Sequence, residues 1–122
     1  MKLRIKGNSL RIRLAKTEVS KLAETGYLEE QTRFLNNHFT YALQKADDAT
    51  GLSATCKNNS ITISVPASFI KDWPRNNVVS IDTKIPLSDT ESLYLLLEKD
   101  FICLDENTED QRDNYTNPNK AC

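Results

Sequence analysis

The residues with the clearest chemistry lie within the first thirteen positions, where Lys2, Arg4, Lys6, Arg11 and Arg13 recur at period two on either side of Lys6-Gly7-Asn8-Ser9. A strand turns alternate side chains to opposite faces, so this spacing puts all five cations on one face of a hairpin and Leu3, Ile5, Leu10, Ile12 and Leu14 on the other. Such a ribbon suits phosphate oxygens and is narrow enough for a DNA major groove. Lysine and arginine on an exposed strand have a second use, since charge on a sheet edge discourages pairing with other chains. The basic cluster stands out against the rest of the chain. Met1 to Leu22 contains seven Lys/Arg and one acid, whereas the remaining residues carry nine Lys/Arg against sixteen acids, for a formal net charge of −1 over 122 residues.

Catalytic chemistry finds little support. His38 is the sole histidine and reads as a loop residue, so no Ser-His-Asp or Cys-His arrangement stands out and a multi-histidine metal site cannot be assembled within one chain. Glycines at 7, 26 and 51 cannot form a phosphate-binding loop. Cys56, Cys103 and Cys122 include no C-x-x-C, arguing against a disulfide framework or zinc ribbon, and Cys56 and Cys103 read as small core residues. Asp105, Asn107, Glu109 and Asp113 alternate as calcium ligands would. The sixth and twelfth loop positions hold Asp110 and Thr116, however, where an EF-hand needs Gly and Glu. The expectation is therefore a non-enzymatic chain without metal or cofactor. No long apolar run or signal-peptide core is present, which points to a cytoplasmic protein with reduced thiols and no membrane contact.

An internal repeat organises the elements that must position the basic face. At an offset of 51, Asn8-Ser9-Leu10-Arg11-Ile12-Arg13-Leu14 aligns onto Asn59-Ser60-Ile61-Thr62-Ile63-Ser64-Val65. The same offset places Val19 on Ile70, Leu22 on Trp73 and Tyr27-Leu28 on Val78-Val79. Each copy reads as a hairpin, a short helix and two further strands. In the first copy, Thr17 caps the helix, Val19, Leu22 and Ala23 form its buried stripe, and Gly26 stops it. In the second, Pro66 opens the helix, Phe69, Ile70 and Trp73 are buried, and Pro74 ends it. The later strands are Tyr27–Phe34 and Phe39–Lys45, the latter with an alternative helical reading, then Val78–Ile85 and Ser92–Lys99. Leu93 to Leu97 is apolar enough for a central strand buried on both faces. The expected fold is α+β, mostly β: two β-β-α-β-β repeats (1–46 and 52–100) in one domain (1–105), interlocked about a pseudo-twofold as a swapped-hairpin barrel or orthogonal sheets. An acidic polar tail follows over 106–122, and the segment from Asp100 onward, at −4, could serve as a counter-charge to the basic hairpin.

Ile5-Lys6-Gly7-Asn8-Ser9-Leu10-Arg11-Ile12-Arg13-Leu14-Ala15-Lys16, with the helix after it, resembles the opening of the AbrB/MazE group of DNA-binding regulators and antitoxins. Asn58-Asn59-Ser60 through Pro66 and on to Trp73 resembles it again. Ala15 stands where that group usually has Pro, and Asn58 where it has Gly. The resemblance implies a swapped-hairpin barrel, here made by one chain instead of a dimer, and contact with DNA through Lys2, Arg4, Lys6, Arg11 and Arg13. As a whole the chain also resembles small uncharacterised proteins of Bacteroidetes-type bacteria. Together these readings give a binding module that is a nucleic-acid-associated regulator with DNA or RNA as partner, as a pseudo-dimeric monomer or a homodimer. The alternative is a structural or interaction domain that holds a protein through a sheet edge or the acidic tail.

Overall fold

A computed structural model of the chain describes residues 1–101, 113 and 115. Its elements run β1 (Lys2–Lys6), β2 (Ser9–Leu14), α1 (Lys16–Thr25), β3 (Tyr27–Arg33), β4 (His38–Ala46), β5 (Ser53–Lys57), β6 (Ser60–Pro66), α2 (Ala67–Ile70), β7 (Ser80–Pro86) and β8 (Ser92–Lys99). They form two four-stranded sheets, ordered β1-β2-β8-β7 and β3-β4-β6-β5. Each sheet joins a hairpin from one half of the chain to a hairpin from the other. The joints are parallel pairings of β2 with β8 and of β4 with β6, and the pairs within hairpins are antiparallel. The repeats therefore exchange hairpins about a pseudo-twofold, as expected. The two sheets stay separate and do not close into a barrel.

The physical reason for the exchange is area. One repeat has too little apolar surface to bury alone, and the core is built from both: Ile12, Leu14, Val19, Leu22 and Leu43 from the first half pack with Ile63, Val65, Ile70, Trp73, Leu95 and Leu97 from the second. The hairpin turns solve one geometric problem in two ways. Gly7 takes φ +54° alone, the sign pattern of a II′ turn, whereas Asn58 and Asn59 both take positive φ, 51° and 61°, the pattern of I′.

The helices depart in detail from the sequence reading. Ala15, not Thr17, is the N-cap of α1, and the Glu18 carboxylate accepts the Ala15 N–H at 2.8 Å. Thr17 instead donates its backbone N–H and its hydroxyl to the Asp113 carboxylate, at 3.3 and 2.6 Å. Gly26 ends the helix at φ 77°, its N–H bonded to the Leu22 carbonyl at 2.8 Å. The second helix is a single turn. Pro66 is the last residue of β6 and caps α2 from there, and the helix ends at its C-cap Lys71, still at φ −49° and ψ −47°, with turns following before and through Pro74. Val19, Leu22, Ile70 and Trp73 are all buried, so the offset of 51 holds through both helices. It then slips. Leu28 pairs with Leu43 and its counterpart is Ile81, paired with Leu97, two residues beyond the expected Val79. The turns after α2 consume the extra residues, which leaves Val78 and Val79 exposed outside any strand.

The segment with two readings, Phe39–Lys45, is a strand, because β3 and β6 satisfy its backbone on both sides. The strand β8 is central, as expected, but buried on one face only. Leu95 and Leu97 point into the core, whereas Tyr94 is exposed and Leu96 half-buried, since no element among the described residues is layered over the outer face of this sheet. Cys56 is in phase with the core face yet exposed: it pairs with Ile61 near the open end between the hairpin tips. His38 is exposed at the start of β4. Cys103, Cys122, Ile102, Leu104 and the remaining acidic positions of the tail lie outside the described residues.

Candidate nucleic-acid interface

The registers define the outer face of the first sheet row by row. Across β1 and β2, Lys2 stands opposite Arg13, Arg4 opposite Arg11, and Lys6 opposite Ser9. All five predicted cations therefore share one face, as period two requires. The face continues onto the second half of the chain: Ser9, Arg11 and Arg13 pair with Tyr94, Leu96 and Glu98, which in turn pair with Lys84, Asp82 and Ser80. It carries six basic and two acidic side chains in four adjoining strands.

That continuation corrects one expectation. The hairpin is not a free ribbon, because β2 is an inner strand with β8 on its far side. At about 4.8 Å per strand the sheet spans about 14 Å between its outer strand axes, before side chains are counted. A major groove about 12 Å wide does not admit it flat.

Nor are the five cations equivalent. The Glu98 carboxylate, with 14% of its side chain exposed, accepts Arg11 Nε at 2.6 Å and Arg13 Nε at 2.8 Å, and Arg11 Nη2 lies 2.6 Å from the same oxygen. These are short, charge-assisted contacts that lock both guanidiniums over β8. Lys2 Nζ lies 3.0 Å from the buried carboxylate of Asp100, the first residue of the segment read as a counter-charge. Arg4 and Lys6 are exposed and form no ion pair among the described residues.

Two shallow grooves run along this face. One of about 290 Å³ is lined by Arg4, Lys6, Ser9, Arg11, Tyr94 and Leu96, and the second, of about 180 Å³, by Lys2, Leu3, Arg4, Arg11 and Arg13. Arg4 and Arg11 belong to both. Asn8 fixes the turn at one end of the face, its side-chain amide donating to the Ser92 carbonyl at 2.7 Å, while the Ser9 hydroxyl donates to Lys6 O at 2.7 Å. The Tyr94 hydroxyl donates to Asp82 at 2.8 Å, and this hydrogen bond, with desolvation and the nearby carboxylates, pushes the phenol above its ordinary range. The ring is thus a neutral plate held at fixed orientation beside the cations.

Tyr94, Leu96, Glu98, Asp82 and Lys84 were absent from the sequence reading of the site. Their signal was present: Tyr94, Leu96 and Glu98 alternate with Leu93, Leu95 and Leu97, and an exchange of hairpins would lay the last strand against the first hairpin. The apolar run from Leu93 to Leu97 masked that alternation.

The pseudo-twofold supplies an internal control. The corresponding face of the second sheet presents Ser53, Thr55, Lys57, Ser60, Thr62, Ser64, Thr40, Ala42, Gln44, Tyr27, Glu29 and Gln31, with one cation and one acid. Arg11 and Arg13 correspond to Thr62 and Ser64, and Glu98 to Gln44. The charge is specific to one half.

The chain belongs to a family of unknown function, DUF7009, whose model matches residues 1–119. No curated protein and no solved structure matches it. No helix among the described residues is long and apolar enough to cross a membrane.

Proposed function

We propose that the chain is a non-enzymatic module that binds nucleic acid through the outer face of the β1-β2-β8-β7 sheet. One observation carries the reading: Arg4, Lys6 and Arg11 converge on a single open groove, and the pseudo-symmetric face of the other sheet has no such cluster. Two copies of one fold differ here in charge, with five cations on β1 and β2 against Lys57 on β5 and β6, which sets the basic face apart from the protection that any exposed strand requires. The Lys2, Arg4, Lys6, Arg11 and Arg13 set divides by role. Arg4 and Lys6 meet phosphate directly, while Arg11 and Arg13 share their charge with Glu98.

The test is fluorescence anisotropy with mixed-sequence DNA and RNA at about 50 and about 200 mM salt, a range over which phosphate contacts show themselves by counterion release. Binding that weakens with salt, and an Arg4→Ala/Lys6→Ala variant that binds less tightly with a flatter salt slope, are the expected results. Absence of binding at the lower salt refutes the reading.

A second reading is favoured by a different observation. Phe34 and Leu35 stand 62% and 108% exposed at the tip of the β3–β4 hairpin, well away from the basic face in sequence. Exposed apolar side chains at a rigid turn suit a protein partner. Loss of a co-purifying protein from a Phe34→Ser/Leu35→Ser variant with unaltered nucleic-acid binding would favour it.

A further inference from the structure

We infer that the nucleic acid taken by this face is single-stranded, with one base stacked on Tyr94 and the adjoining phosphates held by Arg4 and Lys6. The inference rests on the nucleic-acid reading above and narrows its ligand. Three observations carry it.

The first is the composition of the larger groove. Its volume of about 290 Å³ is roughly twice that of a cavity that accepts benzene, room enough for one heterocycle. Tyr94 and Leu96 give that groove an apolar floor on β8, and Arg4, Lys6 and Arg11 give it a cationic wall on β1 and β2. A base presents a flat apolar face beside a charged backbone, and the two linings answer those two parts.

The second is the distribution of charge across the sheet. Cations concentrate on β1 and β2, whereas β7 and β8 add Asp82 and Glu98 against Lys84. The track of positive charge is therefore one backbone wide. A second backbone laid farther across the sheet meets carboxylates, and the width of the sheet denies it the alternative of entering a groove.

The third is the posture of Tyr94. It lies on a central strand, exposed on its outer side, with its hydroxyl anchored to Asp82 at 2.8 Å. A ring fixed in this way loses little further freedom when a base stacks on it. Stacking of this kind tolerates any base, because every base has a π-face.

The experiment compares short oligo(dT) and oligo(U), the corresponding duplexes, and an abasic deoxyribose-phosphate strand of equal length, all with the full chain. Tighter binding of either single strand than of duplex is expected, with the DNA and RNA arms ranking the two sources. The abasic strand, equal in charge, is expected to bind about tenfold more weakly, the loss typical of one stacking partner. Tyr94→Ala should lose about tenfold for the single strand at unchanged salt slope, and Tyr94→Phe should retain binding, since the ring and not the hydroxyl carries the contact. Abasic and base-bearing strands bound equally, or duplex preferred, overturns the single-strand inference while leaving the nucleic-acid reading standing. No binding to any of these at low salt overturns both. The abasic comparison uses the unaltered protein, so it decides the matter even where a Tyr94 variant fails to fold.

Discussion

Glu98→Gln is the perturbation that most sharply separates charge from shape on the basic face. In the native chain one carboxylate oxygen takes hydrogen bonds from Arg11 and Arg13 at 2.6 to 2.8 Å, and the carboxylate has little exposure. The amide retains an acceptor oxygen and the side chain's size, but loses the charge that holds two guanidiniums over β8. Charge-assisted bonds are worth about 1.5–3 kcal/mol where they are shielded, and about 0–1 kcal/mol where water competes. The arginine side chains are 34% and 40% exposed, so the loss falls between these limits, at about 1–2 kcal/mol. For a chain of this length that is a fall in melting temperature of about 4–8 °C. Binding moves the other way. One or two arginines released toward phosphate steepen the salt slope by about 0.7 to 1.4 for a single strand. Over a fourfold rise in salt, the drop in affinity then grows by a further factor of about 2.6 to 7. Thermal melts and anisotropy titrations at two salt concentrations read both effects. A variant that binds with unchanged slope and affinity refutes the argument that Glu98 restrains this face, and a variant more stable than the parent refutes the energetic assignment.

Three further outcomes are expected. Lys99 sits on the core side of β8 with its ammonium 5.7 Å from the Trp73 ring centre and 4.9 Å from that of Tyr115, and burial pushes its pKa below the ordinary 10.5. The unfolded chain therefore binds the extra proton between the lowered value and 10.5, and the stability of the native protein relative to Lys99→Met should rise with pH through that window, as denaturant titrations at several pH values would measure. A difference that is flat or falls with pH refutes the assignment. Trp73→Ala removes a fully buried ring that packs 4.9 Å from Phe69 and donates Nε1–H to the Val78 carbonyl at 2.8 Å, so a loss of about 3–5 kcal/mol is expected in equilibrium unfolding. Gly26→Ala should cost about 1 kcal/mol, measured in the same way, because φ is 77° there; an added Cβ would meet only the Lys45 side chain at 3.5 Å, an ordinary contact, leaving backbone strain as the cost.

What was legible in the sequence was set by short-range periodicity. Alternation fixed both first hairpins and placed five cations on one face, and the paired Asn-Ser turns revealed the duplication together with the need for two halves to share a core. Less accessible was anything decided by what lies opposite. Leu96 sits in an apolar run and reads as core, yet it faces outward between Arg11 and Asp82, on a side that no element among the described residues covers. Cys56 has the phase of a buried residue and is exposed because the sheets do not meet around the hairpin tips. The two-residue slip after α2 follows from turns whose length no periodicity records. Glu98 and Tyr94 shape the candidate site from some eighty positions away, and only the exchange of hairpins brings them to it.

The asymmetry between the two sheets bears on the binding proposed for one of them. A symmetric dimer places identical surfaces on both halves, so a cation gained for a ligand is gained twice, with its electrostatic cost to stability also doubled. Duplication inside one chain breaks that constraint. Here the polar face made of Ser53, Thr55, Thr62 and Ser64 holds the fold with almost no charge, while its counterpart concentrates cations and keeps two of them in check through Glu98. The core residues of the halves match closely, Leu10, Ile12 and Leu14 against Ile61, Ile63 and Val65, all of them buried. On these hairpins the difference in charge lies in the side chains that face outward. Selection for folding alone would leave both outer faces free to drift toward similar mixed polarity. A cationic cluster on one of them, with an aromatic ring in its midst, is the pattern that a ligand on that face would impose.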